Sequence, residues 1–256
     1  MTNELAKAAL VTGAGKRIGR VIALALAQRG WDVAVHYNRS RDEALATVSE
    51  IEALGRRAVA VPCELADEAA VRELLPQAAQ ALGARIGCVV NNASLFAQDG
   101  AATLSYASLD AHMHANLAAP ILLAHALHAA TPDGAQSVVV NLLDQKLFNL
   151  NPDFLSYTLS KAALHTATTM LAQELAPKLR VVGVAPGITM VSGEQSPEAF
   201  AKAHRVTPLG RSSTPEDVAS AVCFAAENGS LTGTTLLVDG GQHLIPLQRD
   251  VMFIAT

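Results

Sequence analysis

Residues 10–27 read "LVTGAGKRIGRVIALALA": a short apolar run, a turn carrying Gly13, Gly15 and Gly19, then apolar residues at helical spacing. A strand that passes through a glycine turn into a helix sets backbone N–H groups and a positive helix end where a pyrophosphate can sit. The spacing is not G-x-G-x-x-G, so a plain turn is the alternative. The rest of the chain continues the pattern. The runs "AALVT", "DVAVHY", "AVAVPC", "GCVVNN", "SVVVNLL", "RVVGVA" and "TTLLVDG" read as seven strands, separated by helical stretches such as "EALATVSEIEALG". Strands alternating with helices predict βαβ units and a doubly wound, parallel α/β sheet, and the Val- and Ala-rich strands predict helices on both faces.

Composition agrees with one well-cored domain over residues 1–256, because half the residues are apolar, only 16% are charged, and no repeat or low-complexity linker divides the chain. The least patterned segment, residues 187–210, follows the carboxyl end of a strand, where an open sheet places a substrate lid; a surface loop with one short helix is the alternative. A net charge of -4 gives no broad basic field for nucleic acid or an anionic membrane, which leaves small molecules as partners. Cys63, Cys88 and Cys223 are dispersed, so neither a disulfide framework nor a zinc site is expected. His112, His114, His125 and His128 fall on one apparent helix without carboxylate or cysteine companions, and no metal site is expected there either. With no long apolar run and no export signal at the start, the expected location is cytoplasmic.

The second strand ends in "HYNRS", which puts Arg39 and Ser40 where an NAD-binding chain usually presents an acid to the ribose hydroxyls. An acid would repel a ribose phosphate and Arg39 would pair with one. The plainer alternative is a solvated arginine opening a helix.

An ordered set of motifs spans residues 8–243: "TGAGKRIG" at 12–19, "NNAS" at 91–94, Asn116 in a helix, "YTLSK" at 157–161, "APG" at 185–187 and "VDGG" at 238–241. In this set the chain resembles the short-chain dehydrogenase/reductase family, whose fold is of the Rossmann type. Two departures narrow the resemblance. Arg17 stands at the family's usual middle glycine, and Asp144 stands at its usual catalytic serine, thirteen residues before Tyr157. With "HYNRS" and "NNASLF", these are similar to the pteridine reductase branch, which reduces pterins or folates with NADPH and is typically a homotetramer.

That resemblance implies a catalytic set of Asp144, Tyr157, Lys161 and Asn116, the last connecting Lys161 to water; a structural Asn116 is the alternative. It implies NADPH contacts from Gly13, Gly15, Lys16, Arg17, Ile18 and Gly19 in the first turn, and from His36, Tyr37, Asn38, Arg39 and Ser40 after the second strand. Glu64, in place of the family's usual aspartate near the adenine, and Leu65 follow. Asn92, Ala93, Ser94, Tyr157, Lys161, Pro186, Gly187, Ile188 and Thr189 complete the cofactor side. Substrate contacts are implied for Arg17, Ser94, Phe96, Asp144, Tyr157 and Gly187, with the Phe96 ring opposite the nicotinamide; packing beneath a lid is the alternative for Phe96. The helix "KAALHTATTMLAQELA" resembles one that pairs subunits in relatives. The apolar tail 244–256, "LIPLQRDVMFIAT", is expected across a neighbouring subunit, or else packed on its own core.

Elementary electrostatics explains what the aspartate would change. On one helix, Tyr157 and Lys161 share a face, and the ammonium favours the charged phenol. An ionised Asp144 roughly 4 Å away would oppose tyrosinate formation by up to roughly 4 kcal/mol at an effective dielectric near 20, about three pKa units at most. Such a site disfavours alcohol oxidation and favours a tyrosine that gives its proton away. The same carboxyl can accept from the N–H groups of a nitrogen heterocycle, or pass a proton to a ring nitrogen as hydride reaches the adjacent carbon. A pterin supplies those groups and an acyl thioester does not. The expected activity is therefore NADPH-dependent reduction of a dihydropteridine to a tetrahydropteridine. The alternatives are a general carbonyl or 3-oxoacyl-thioester reductase and a nucleotide-binding regulator without turnover, in which Asp144 merely caps a turn.

Overall fold

Leu10 and Val11 are neighbours in the first strand and face opposite sides of one sheet, each fully buried. The computed structural model describes residues 5–191, 196–250 and 253. Its strands are β1 (Ala8–Val11), β2 (Asp32–Tyr37), β3 (Ala58–Pro62), β4 (Cys88–Asn91), β5 (Ser137–Leu142), β6 (Leu179–Pro186) and β7 (Thr235–Val238). They pair in parallel in the order β3-β2-β1-β4-β5-β6-β7.

Among the described residues eight helices separate and follow them: α1 (Arg17–Gln28), α2 (Arg41–Ala53), α3 (Glu68–Leu82), α4 (Tyr106–Met113), α5 (Ala119–Ala130), α6 (Leu155–Glu174), α7 (Pro197–Arg205) and α8 (Pro215–Glu227). Alternate strand residues feed two cores. Val11, Val35, Val90 and Val140 pack with Ile22 and Leu26 of α1, Ile51 of α2 and Val222 of α8. Leu10, Ala34, Val89 and Val139 pack with Leu74 of α3, Leu123 and Leu127 of α5 and Ala172 of α6. Each Leu or Val buried in this way contributes about 1.5–3 kcal/mol relative to exposure, so the side-chain alternation fixes both layers of helices.

Burial on both faces holds for the inner strands and fails at the edges, since β3 and β7 are only partly covered. Each has a strand neighbour on one side alone. The four histidines of the expected single helix lie on α4, on α5 and in a π-helical turn, His114–Ala118, that joins the two. Between residues 187 and 210 the structure forms α7, while residues 192–195 lie outside the described residues.

Chain direction across the sheet reverses between β1 and β4, and the carboxyl ends of these two strands open a crevice. What stands there decides the chemistry.

Candidate active site

Two cavities meet at that crevice along Arg17, Ile18, Asn92 and Ser94. The larger, about 840 Å³, runs from the β1–α1 turn over the ends of β2 and β3. Gly13, Gly15, Lys16, Gly19, His36, Tyr37, Asn38, Arg39, Ser40, Glu64, Leu65 and Ala93 line it as well. Their duties differ. Buried His36 accepts from the Gly13 N–H at Nδ1 and faces the Cys63 carbonyl with Nε2, both at 3.0 Å. That pair of partners assigns the proton to Nε2, and burial pushes the imidazole below its ordinary pKa, so His36 is a neutral brace for the glycine turn. Asn92 is spent similarly, donating through Nδ2 to the Thr12 carbonyl at 2.8 Å. Asn38 donates to Glu64 at 2.6 Å across the cavity floor. Arg39 is exposed at the rim and forms no ion pair among the described residues.

The start of α1 leaves its backbone N–H groups without a side-chain cap. Asp67 caps α3 and Thr214 caps α8, but Lys16 at the head of α1 makes no side-chain cap and no acid lies in the first turn. Gly19 permits the close packing behind this turn, because a Cβ there would stand 2.3 Å from the Gly13 carbonyl oxygen. Arg17 holds the left-handed backbone (φ 54°) that glycine adopts most readily, and its guanidinium donates to the Val191 carbonyl at 3.0 Å.

The second cavity, about 430 Å³, holds the titratable groups. Tyr157 donates its hydroxyl to Asp144 Oδ2 at 2.8 Å, and the Lys146 N–H donates to Asp144 Oδ1 at 2.8 Å. Asp144 therefore does cap the 3₁₀ turn Gln145–Phe148, while its other oxygen faces the tyrosine. Burial pushes the Asp144 carboxyl above the ordinary carboxylate range, against the pull of the Lys146 N–H and the Tyr157 hydroxyl. The same burial, reinforced by Asp144, pushes the Tyr157 phenol well above 10. Lys161 donates to the Leu142 carbonyl at 2.7 Å and lies 5.9 Å from the Tyr157 ring centre; burial pulls its ammonium down to about 8, partly offset by Asp144.

Asn116, in the π turn, accepts from the Leu95 N–H at 2.8 Å and donates to the Leu95 carbonyl at 2.9 Å and to Ser160 Oγ at 3.0 Å. These hydrogen bonds clasp the loop after β4 to α6, and none among the described residues runs from Asn116 to Lys161. Phe96, 44% exposed, stacks on Phe154 with centroids 4.4 Å apart and meets the Tyr157 ring edge-on at 4.7 Å. Pro186, Gly187, Ile188 and Thr189 form the opposite wall.

Residues 13–243 match the family described as enoyl-(acyl carrier protein) reductase, a description attached to short-chain reductases. The chain belongs to the short-chain dehydrogenase/reductase family. The crystal structure of FolM alternative dihydrofolate reductase 1 from Brucella suis, in complex with NADP, is 42% identical, with a TM-score of 0.89 over 94% of this chain and 97% of that one. An uncharacterized oxidoreductase of Mycobacterium tuberculosis is 35% identical over 250 residues, covering 92% of this chain and 91% of its own. The 3-oxoacyl-[acyl-carrier-protein] reductase FabG of Staphylococcus aureus is 30% identical over 249 residues, covering 94% of this chain and 100% of its own.

The described part of the tail folds over its own chain: Asn149 donates to the Ile245 carbonyl, Arg249 grips Asp153 through both carboxylate oxygens, and the Asp250 N–H donates to Asp153 at 2.7 Å. Phe253 stacks over Phe154 at 6.0 Å. Hydrogen-bonding groups at 149 and 153 thus hold the segment against its own chain; residues 251–252 and 254–256 lie outside the described residues. Lys146, Gln242 and Asp250 also line the second cavity and belong to none of the sequence motifs. Lys146 stands two residues after Asp144 and was within reach of a local reading, but Asp250 arrives from more than a hundred residues away.

Proposed function

We propose that the protein is an NADPH-dependent pteridine reductase that converts a dihydropteridine to a tetrahydropteridine. The observation that carries this reading is the hydrogen bond between Tyr157 and Asp144 Oδ2, at a position where carbonyl-reducing relatives use a neutral serine. The 42% identity to FolM with its bound NADP supports the same reading.

The uncapped start of α1 fits a pyrophosphate and exposed Arg39, with Ser40, fits a ribose phosphate, so the larger cavity suits NADPH. NADPH bound there supplies the hydride for the substrate's C=N carbon. Asp144 and Tyr157 hold the proton for the ring nitrogen. Lys161, held on the Leu142 carbonyl, sets its ammonium 5.9 Å from the Tyr157 ring centre, Asn116 fixes the loop that carries Phe96, and the Phe96–Phe154 pair gives the cavity an aromatic wall. A raised Asp144 pKa keeps this donor loaded at pH values where an ordinary aspartate is ionised. Turnover should then fall as pH rises through that raised value, whereas a reductase using the Tyr157 phenol alone would keep its proton to well above 10.

A 3-oxoacyl-thioester reductase is the second reading, favoured by the likeness to FabG. Consumption of NADPH with dihydrobiopterin, with a 3-oxoacyl thioester and with no substrate separates the two. Oxidation driven by dihydrobiopterin is expected; oxidation driven only by the thioester would overturn the assignment. Assembly as a homotetramer is part of the proposal, and light scattering that found a 26.7 kDa particle would remove it.

A further inference from the structure

Lys146 is 3% exposed, and among the described residues its ammonium meets the Asp153 carbonyl at 2.6 Å, Asp250 Oδ2 at 3.1 Å and the face of Phe154 at 5.3 Å. Its own backbone N–H holds Asp144. Burying an ammonium is costly unless it is paired and hydrogen-bonded, and two carboxyls line this cavity, Asp144 and Asp250. Asp250 is delivered by the C-terminal segment, which is anchored independently through Arg249 to Asp153 and through Leu247 to Asn149.

We propose that Asp250 is a positioning residue of this active site: as the counter-ion of Lys146, it leaves the Asp144 carboxyl to hold a proton and not to neutralise the ammonium. The charged and titratable groups around Asp144 are Lys146 from the 3₁₀ turn, Tyr157 and Lys161 from α6, Asp250 from the tail and Arg17 from the far wall. Of these, Asp250 favours the protonated acid and Lys146 disfavours it, so the pair balances only while both charges are present. The place that the tail gives Asp250 therefore also sets the proton affinity of the donor.

The inference rests on the reading of Asp144 as proton donor, and its test observes that carboxyl directly. Full-length protein labelled with carbon-13 at the aspartate carboxyls is titrated by NMR, with the Asp144 signal assigned by its loss in Asp144→Asn. Asp250→Asn should lower the Asp144 midpoint by about one pH unit or more, equivalent to about a tenfold change in its acid form on the alkaline side. Lys146→Met should raise the midpoint, and Lys146→Met with Asp250→Asn should return it near the wild-type value. A merely structural strap gives shifts of one sign or none, and either result overturns the proposal. Should Asp250→Asn not fold, reversal of the Lys146→Met rise in the double variant carries the same test, and its absence is equally decisive. Failure of the wild type to reduce a dihydropterin would sink the pteridine assignment and leave this titration unchanged.

Discussion

The cavity at the β1–α1 turn is walled by main chain and by side chains pinned to it, with His36, Asn92 and Thr12 all spent on backbone groups. Its neighbour around Tyr157 is walled by ionisable groups, buried Lys146 and Lys161 with half-buried Asp144 and Asp250; Tyr157 is bonded to Asp144 and Lys146 is paired with Asp250. The first needs shape, so its parts are glycines, a helix start and neutral braces. The second needs a proton at a chosen atom, so desolvation and facing charges dominate. Substitutions should separate along that line: in the first cavity they should change cofactor affinity or stability, and in the second they should change rate and pH dependence.

The sharpest break is expected at Tyr157. Tyr157→Phe removes the hydroxyl that Asp144 accepts from and should lower kcat by about a hundredfold or more, the usual range for a lost acid, with the NADPH dissociation constant nearly unchanged in fluorescence titration. A variant that lost affinity and rate together would blur the two cavities into one. At the cofactor end, Gly19→Ala sets a Cβ 2.3 Å from the Gly13 oxygen and 2.5 Å from Asn92 Nδ2, and denaturant unfolding should show a loss of about 1–3 kcal/mol. Unchanged stability would mean that the turn has room the structure does not show.

Arg39→Ala should raise the NADPH Michaelis constant about tenfold and leave NADH nearly unaffected, the cost of one charge-assisted contact. Equal effects on the two nucleotides would remove Arg39 from phosphate recognition. The smallest change is expected for Phe96→Ala, which withdraws aromatic contact worth about 0.5–1.5 kcal/mol and should weaken dihydropterin binding while sparing a small ketone.

The same division governs what could be read from the residues. β2 was bounded by its apolar run to the residue, and the glycine turn, "HYNRS" and the Tyr157/Lys161 spacing all lie within short stretches whose period or turn chemistry is local. Asp144 was legible for the same reason, since its partner follows thirteen residues later on the next element. Other contacts depend on distant segments meeting. Asp99, from the loop after β4, accepts from the Ser156 N–H at 2.9 Å and so caps α6 in place of Phe154, which sits in left-handed backbone and makes no cap. The π turn at Asn116 and the latch of Asp250 on Lys146 likewise have no local pattern to announce them.

The central claim is that the Asp144 carboxyl is the proton donor that suits this site to a C=N bond. It is tested most directly by Asp144→Ser, which restores the neutral donor of carbonyl-reducing relatives, with kcat/KM measured for a dihydropterin and a simple ketone on the same preparation. A loss of about a hundredfold or more is expected on the dihydropterin, with ketone reduction retained or increased. Dihydropterin turnover that survives the substitution intact would contradict it, since the carboxyl would then stand outside the chemistry.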